Sequence, residues 1–521
     1  MLVLEDKKAV LIRPRHRDRF LKLMPTAKPV QYKGKDYVAV PHRMDEVRVL
    51  NNMGLEVPSP LVRTYNFPRS SKIPKPFDSQ VNTASFLSIN SRAFVLNDLG
   101  TGKTLAALWA FDYLQRRGEA NKLLIISPLS TLERTWADEI FFNLNHLQYA
   151  VAHGSPKRRQ AAFDKDVDVY IINHHGAKAK DVQEILAQRP DIDTVILDEI
   201  AQVARNRHEM WKAFNQILNG KIYRRCWGLT ATPIPNEPPD AFQQIKLLCP
   251  DKVKGLYYKR FREMTMMQVS QFKWVSRDNA LDIVDQHMQP AIRFRREDCI
   301  DLPATIYMTR EVKLSAQQDK AYKLMLNKMY AEIQSGDITA VNEAVKAGKL
   351  VQIACGAVYD DGGTERYLDT KPRIDEVLDL LVQSDAKTIV FVPYRNAINM
   401  VADAIRAAGY TVGVIHGGVS KTERDKVFNA FQRMTNPHVI VAQPAAMSHG
   451  LTLTEASQIV WYAPVTSAEV YEQANGRITR PGQKHTPVIV NIEGTDIERR
   501  MYSRLKSKQK MQNILLELKT S

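Results

Sequence analysis

From about residue 92 the chain alternates short runs of apolar, β-favouring residues with longer stretches whose apolar positions recur at helical spacing. Strands are predicted at 122–128, 169–173 and 194–199, and again at 388–392, 412–418 and 439–442. Strands separated by helix-length segments predict an α/β chain of parallel sheets with crossover helices, in which ligands gather at the carboxyl ends of the strands. Residues 1–60 follow another rhythm: a strand at 8–14, a short helix at 15–24, a hairpin over 30–40 turning at Lys33-Gly34, and a helix at 44–53 stopped by Gly54. They predict a small α/β module. Proline, serine and basic residues crowd 58–75, as a linker would.

One junction carries chemistry at once. In F-V-L-N-D-L-G-T-G-K-T-L-A-A-L, from Phe94 to Leu108, a buried strand runs through a glycine turn into a helix. The backbone N–H groups of Gly100, Thr101 and Gly102 can then converge on a phosphate, and the helix N-terminus favours negative charge. Lys103 is placed for the β/γ-phosphates and the Thr104 hydroxyl for Mg²⁺. The pattern G-x-x-x-x-G-K-[ST] asks for glycine at position 97, where this chain has Asn97. A plain glycine turn before an amphipathic helix fits the same letters.

Further residues fall into place around that loop. Asp198 and Glu199 end a predicted strand, so Asp198 can anchor a Mg²⁺ shell while Glu199 orients or deprotonates water. Alone, an acidic pair equally describes an exposed turn. Thr230 and Thr232, in W-G-L-T-A-T-P, offer hydroxyls to that pair. Gln80, 23 residues before Lys103, carries the donor and acceptor needed to read an adenine edge.

Composition bounds the rest. With 521 residues, 44% of them hydrophobic, the chain can bury several cores, and no apolar run approaches the ~18 residues of a membrane span. Cys226, Cys249, Cys299 and Cys355 lack metal-ligand spacing and read as structural thiols. The net charge of +16 suggests a polyanionic partner. Residues 1–80 hold 16 Lys/Arg against 8 Asp/Glu, half of that surplus, so residues 1–60 are a candidate nucleic-acid-gripping module, with a plain packing domain as the alternative.

The P-loop, D-E-I-A and T-A-T in this order resemble the first motor lobe of superfamily-two helicases. Ile292 to Asp298, Asp301-Leu302-Pro303, and Leu314 to Gln318 with Tyr322 resemble the inter-lobe segment of Swi/Snf-type ATPases, as Pro128-Leu129-Ser130 with Trp136 and Glu139 resembles a first-lobe element near the nucleic-acid track. Ala446 to Leu453, with His449 where a glycine is frequent, resembles a substrate-backbone segment. Q-A-N-G-R-I-T-R-P-G-Q, Gln473 to Gln483, sets Arg477 and Arg480 at i and i+3, on one helix face.

The resemblance implies two RecA-like lobes, ATP and Mg²⁺ as cofactors, and Arg477 and Arg480 reaching the γ-phosphate on lobe closure. It makes Ser448 and Gln473, with Thr230 and Thr232, coupling or track residues. The domains expected are a basic module at 1–60, a linker at 61–75, lobe one at 76–275, a helical inter-lobe segment at 276–365 and lobe two at 366–521. The implied function is an ATP-driven translocase on double-stranded DNA, monomeric, unattached to membrane, in the cytoplasm of a bacterial or virus-infected cell. Two alternatives stand beside it: a fork- or junction-specific unwinding helicase on DNA or RNA, and a nucleotide-gated scaffold without turnover.

Overall fold

The structure, a computed structural model, describes residues 1–505 except 5, 71–74, 206–208, 221–222, 235–236, 271–272, 296–298, 300–304, 335–339, 360–364, 448–452 and 481–482. The chain divides into two compact units at residues 299 and 300.

The first unit opens with the amino-terminal module. Strands β1 (Leu2–Leu4), β2 (Ala9–Ile12), β3 (Lys28–Tyr32) and β4 (Lys35–Pro41) form an antiparallel sheet in the order β1-β2-β4-β3. The β3–β4 connection needs two left-handed residues, and Lys33 (φ 50°) and Gly34 (φ 70°) supply them, a turn whose twist matches the strands it joins. Val10, Ile12, Val38 and Val40 form one buried face, packed with Phe20 of the helix Arg17–Leu23 and with Val47 and Leu50 of the helix Met44–Asn52. Arg48 anchors the module to the rest of the unit, donating to Glu119 at 2.6 Å and to the Ser88 carbonyl at 3.2 Å.

The unit's main sheet contains β5 (Arg92–Val95), β6 (Lys122–Ser127), β7 (Tyr149–Ala152), β8 (Val169–Asn173), β9 (Ile192–Asp198), β10 (Arg225–Leu229) and, after the hairpin β11 (Met266–Ser270) and β12 (Lys273–Ser276), β13 (Ala291–Ile292). All seven main-sheet strands run parallel in the order β13-β5-β10-β9-β6-β8-β7. Apolar clusters cover both faces, which is why these strands read as near-continuous apolar runs.

The second unit repeats the plan. Its sheet holds β14 (Ile306–Glu311), β17 (Lys387–Phe391), β18 (Val412–Ile415), β19 (Val439–Ala442), β20 (Ala456–Trp461) and β21 (Val488–Glu493), parallel in the order β14-β21-β20-β17-β19-β18; β15 (Ala357–Tyr359) and β16 (Glu365–Tyr367) form a separate hairpin. The chain is thus the α/β protein of two parallel-sheet lobes that the resemblance implies. Within 276–365, β13 joins the sheet of the first unit and β14 that of the second. Ser315 and Gln318 build a reciprocal cap on the helix Ala316–Gln334: the Gln318 N–H donates to Ser315 Oγ at 3.2 Å and the Ser315 N–H to Gln318 Oε1 at 3.1 Å. Arg373 and Glu498, both buried, meet through two bonds of 2.8 and 2.9 Å, and the Gly494 N–H and Thr495 hydroxyl satisfy the carboxylate further. Such a pair holds the helix Lys371–Val382 to the segment after β21 only while both charges remain.

Candidate active site

The carboxyl ends of β5, β9 and β10 lie side by side in the first unit, and the loops leaving them gather the predicted residues. After β5 the turn places Gly100 at φ 85° and Gly102 at φ 76°, conformations that cost a side-chain-bearing residue ~1–2 kcal/mol, and the helix Lys103–Arg116 begins immediately. Gly102 is required twice over. A Cβ there would lie 2.0 Å from Gln80 Nε2. Gln80 itself is buried; its Oε1 accepts from the Phe77 N–H at 3.0 Å and its Nε2 points at the Gly102 carbonyl at 3.4 Å, so the amide braces the loop. Gly102→Ala is accordingly expected to raise the KM for ATP at least tenfold, measured by ATP titration of hydrolysis, with Gln80→Ala in the same chain relieving the clash and leaving the backbone strain.

Asn97 explains its departure from the phosphate-loop pattern. It is not among the left-handed residues, so glycine's freedom is not needed there. Its buried side chain is a staple instead: Nδ2 donates to Thr83 Oγ1 at 2.8 Å, and Oδ1 accepts from the Phe294 N–H at 3.0 Å. The Asn97 carbonyl also accepts from Lys103 Nζ at 2.9 Å. Desolvation pulls the Lys103 pKa down while Glu199, Asp198 and Asp98 oppose it, so this side chain sits among carboxylates. Arg293, next to β13, pairs with Asp98 of the same loop. The Thr101 hydroxyl donates to the Asp98 carbonyl at 2.8 Å; Thr104 lies in the first turn of the helix.

Asp198 is the last residue of β9. Its Oδ2 accepts from the Trp136 indole N–H at 3.0 Å and its Oδ1 from the Glu199 N–H at 3.1 Å, while burial pushes its pKa up. Trp136 is fully buried and reaches it from a π-helical turn, Leu132–Ala137, a rare geometry that adds a residue to the turn. His174 supports the same residue from the short helix His174–Ala177 directly after β8, with Nε2 2.9 Å from the Asp198 carbonyl. Burial lowers His174 to about 4, so it is neutral near pH 7, and the carbonyl acceptor requires the proton on Nε2. Glu199 holds φ 51°, a strained value for a residue with a side chain, worth ~1–3 kcal/mol. Its buried carboxylate lies 3.5 Å from Thr230 Oγ1, a weak contact, and the Thr230 hydroxyl accepts from the Thr232 N–H at 3.1 Å. Sequence reasoning set Trp136 beside a track and passed over His174. The His174-His175 pair directly after an apolar strand was the available signal.

Among the described residues no group of three or more His, Cys, Asp or Glu is arranged to hold a metal. Thr104 and Asp198 supply hard oxygens only, which fits Mg²⁺, an ion that takes one or two protein ligands and fills its shell with phosphate oxygens and water. Buried Cys226 and Cys249 are pushed up to about 11 and about 12, and Cys355 is raised by burial too, in keeping with structural thiols.

In the second unit the two arginines do not share a regular helix face, contrary to the sequence reading. The helix Ala468–Asn475 ends first: Gly476 is its carboxyl-terminal cap, and the Asn475 side chain is committed to the Trp461 indole at 2.8 Å. Arg477 and Arg480 follow in the turn, each bonding four residues back, Arg477 Nε to the Gln473 carbonyl at 2.9 Å and Arg480 Nε to the Gly476 carbonyl at 3.0 Å. Arg477 is buried and Arg480 partly exposed. Gln473 is buried too, its amide donating to Glu469 at 3.2 Å. Ser448, with Asp301-Leu302-Pro303 and Pro481-Gly482, lies outside the described residues.

The profile of the SNF2-related domain matches residues 84–354, and that of the helicase conserved C-terminal domain residues 372–482. Among relatives, "Putative protein p41" of Acyrthosiphon pisum secondary endosymbiont phage 1 is 25% identical over 82% of this chain and 94% of its own length. "Putative ATP-dependent helicase/translocase YwqA" of Bacillus subtilis is 24% identical over 82% of this chain, which spans 46% of that protein. A solved structure, "Sulfolobus solfataricus SWI2/SNF2 ATPase core in complex with dsDNA", aligns with 87% of this chain and 95% of its own at 18% identity and a TM-score of 0.40. With a parallel-sheet lobe on each side of residue 300 and the domain profile covering more than half its length, the chain belongs to the SNF2-related family of superfamily-two helicases, nucleic-acid-dependent ATPases.

Proposed function

We propose that the chain hydrolyses ATP at the loop 97–104 and uses the cycle to move along duplex DNA as a cytoplasmic monomer. The observation that carries this reading is the convergence of Lys103, Asp198 and Glu199, from the ends of two strands that flank β10, on a glycine loop able to receive phosphates. The Gly100–Gly102 N–H groups hold the phosphates, Lys103 leaves the Asn97 carbonyl for the β/γ-phosphates, and Glu199 orients the attacking water and takes its proton. Thr104 and Asp198 would hold Mg²⁺, which would supply neutralisation of charge on the phosphate oxygens. Arg477 and Arg480 supply the second lobe's contribution to the γ-phosphate; Thr230 and Thr232 transmit the state of Glu199, and Ser448 and Gln473 serve as coupling or track residues. Gln80 takes the adenine edge with whatever capacity its bracing bonds leave. Binding to the track is electrostatic, through backbone phosphates, in keeping with the net charge of +16. The test is ATPase activity against duplex, single-stranded and forked DNA and RNA, followed by triplex displacement where duplex stimulates.

Trp136 is a positioning residue in this scheme. Its indole N–H fixes the orientation of the Asp198 carboxylate, the group that would hold the metal. Trp136→Phe keeps an aromatic ring, smaller than the indole, and removes the donor, so the Mg²⁺ concentration for half-maximal ATPase should rise about tenfold with little change at saturating Mg²⁺. An unchanged Mg²⁺ dependence would assign the indole to packing alone.

A further inference from the structure

The surplus of positive charge is concentrated more sharply than the whole chain suggests. Residues 7–35 contain ten Lys/Arg and one acid, Asp18, a net of +9 in 29 residues. The fold then gathers part of this run at one end of the amino-terminal sheet. Arg13 follows β2, Arg15 leads into the helix Arg17–Leu23, Lys33 sits in the β3–β4 turn and Lys35 opens β4. The register makes them neighbours: Ile12 pairs with Val38, which sets Arg13 beside Tyr37, and Tyr32 pairs with Lys35.

Two aromatic rings hold two of these cations, Arg13 and Lys33, in place. The Arg13 guanidinium lies 4.5 Å from the Tyr37 ring centroid and Lys33 Nζ 5.6 Å from that of Tyr32; the two rings meet edge-on at 6.4 Å. The rings restrain the side chains without neutralising them, so less conformational entropy remains to be lost on binding an anion. Among the described residues none of Arg13, Arg15, Lys33 and Lys35 is paired with a carboxylate, and all four are exposed. Several arginines of the adjoining lobe behave differently: Arg116, Arg117, Arg159, Arg189 and Arg225 all engage acids.

We infer that this end of the module, Arg13, Arg15, Lys33 and Lys35, with Arg13 braced by Tyr37 and Lys33 by Tyr32, is a second contact surface for the phosphate backbone of nucleic acid. It rests on the reading that the chain's substrate is nucleic acid, and adds a surface outside both lobes. A phospholipid surface is the other polyanion of comparable size, and the helix beside the patch offers little apolar surface to enter one. The helix Arg17–Leu23 turns Phe20 into the core and carries Arg17, Arg19 and Lys22 outward with Leu23 as its only exposed large apolar residue. A backbone contact lends no sequence preference; it supplies affinity and retention on the track.

The experiment compares the full chain with a quadruple variant, Arg13→Gln, Arg15→Gln, Lys33→Asn and Lys35→Gln, in which asparagine suits the left-handed position. A second variant, Lys35→Gln alone with Arg15→Gln, guards against loss of the turn. The duplex concentration for half-maximal ATPase should rise on the order of ten- to a hundredfold in the quadruple variant, and the slope of log affinity against log salt should become shallower by about 0.9 for each phosphate the variant no longer neutralises. The rate at saturating duplex should stay at the wild-type value, and the double variant should show a smaller shift of the same kind. Equal half-saturation and equal salt slope in wild type and both variants would overturn the inference. So would binding of vesicles containing phosphatidylserine that the quadruple variant loses while duplex binding stays unchanged. A wild-type ATPase indifferent to every nucleic acid would instead remove the reading beneath it.

Discussion

Glu199→Gln is expected to bind ATP as the parent chain does and to turn it over about 10²- to 10⁴-fold more slowly, the range for removal of a general base. Glutamine has the size of glutamate and preserves the backbone at φ 51°, so the loop geometry survives. It can still accept from Thr230 across the 3.5 Å contact. What disappears is the ability to take a proton, together with one negative charge near Lys103 and the phosphate loop. Removing that charge reduces repulsion of ATP, so affinity should hold or tighten while kcat falls. Titration with a fluorescent ATP analogue beside steady-state hydrolysis separates these effects. A variant hydrolysing at the parent rate would transfer the role to another residue.

Arg480→Ala is expected to lower kcat by about 10³- to 10⁵-fold with the KM for ATP within a few-fold of the parent, the pattern of a contact made only with the transition-state phosphates. Arg480 suits this test better than Arg477. It is partly exposed, whereas Arg477 is buried and bonded to the Gln473 carbonyl, so truncating Arg477 also disturbs the fold. Arg480→Lys refines the result. Lysine keeps the charge and loses the planar fork, so most of the deficit should persist. Full activity in Arg480→Lys would mean that charge alone matters at this position.

The architecture was largely legible because parallel strands buried on both faces must be apolar throughout, and β8 and β19 fall where the pattern sets them. The Lys33-Gly34 turn was legible for a local reason, the need for two left-handed residues. β13 was hidden by its length of two residues, and β14 by its exposed positions, which alternate too little to mark a face. The site was legible where the chemistry demands a residue type at a fixed spacing, as at Gly102-Lys103-Thr104 and Asp198-Glu199. It was illegible where a side chain serves by contact across the fold. Asn97 looks like a defect in a motif until Thr83 and Phe294 are seen bonded to it, and Trp136 and His174 converge on Asp198 from other parts of the chain. The arginine pair was misread because i, i+3 spacing marks a helix face only where the helix continues, and Gly476 ends it.

The central claim, an ATP-hydrolysing motor driven along duplex DNA, is tested most directly by the steady-state ATPase rate with no nucleic acid, duplex DNA, single-stranded DNA, forked DNA and RNA, with Lys103→Ala as the blank. The expected result is strong stimulation by duplex DNA of any sequence, abolished in Lys103→Ala. Stimulation by single strands or forks alone would contradict duplex translocation in favour of unwinding, and a rate unmoved by every nucleic acid, or undiminished in Lys103→Ala, would contradict the motor itself.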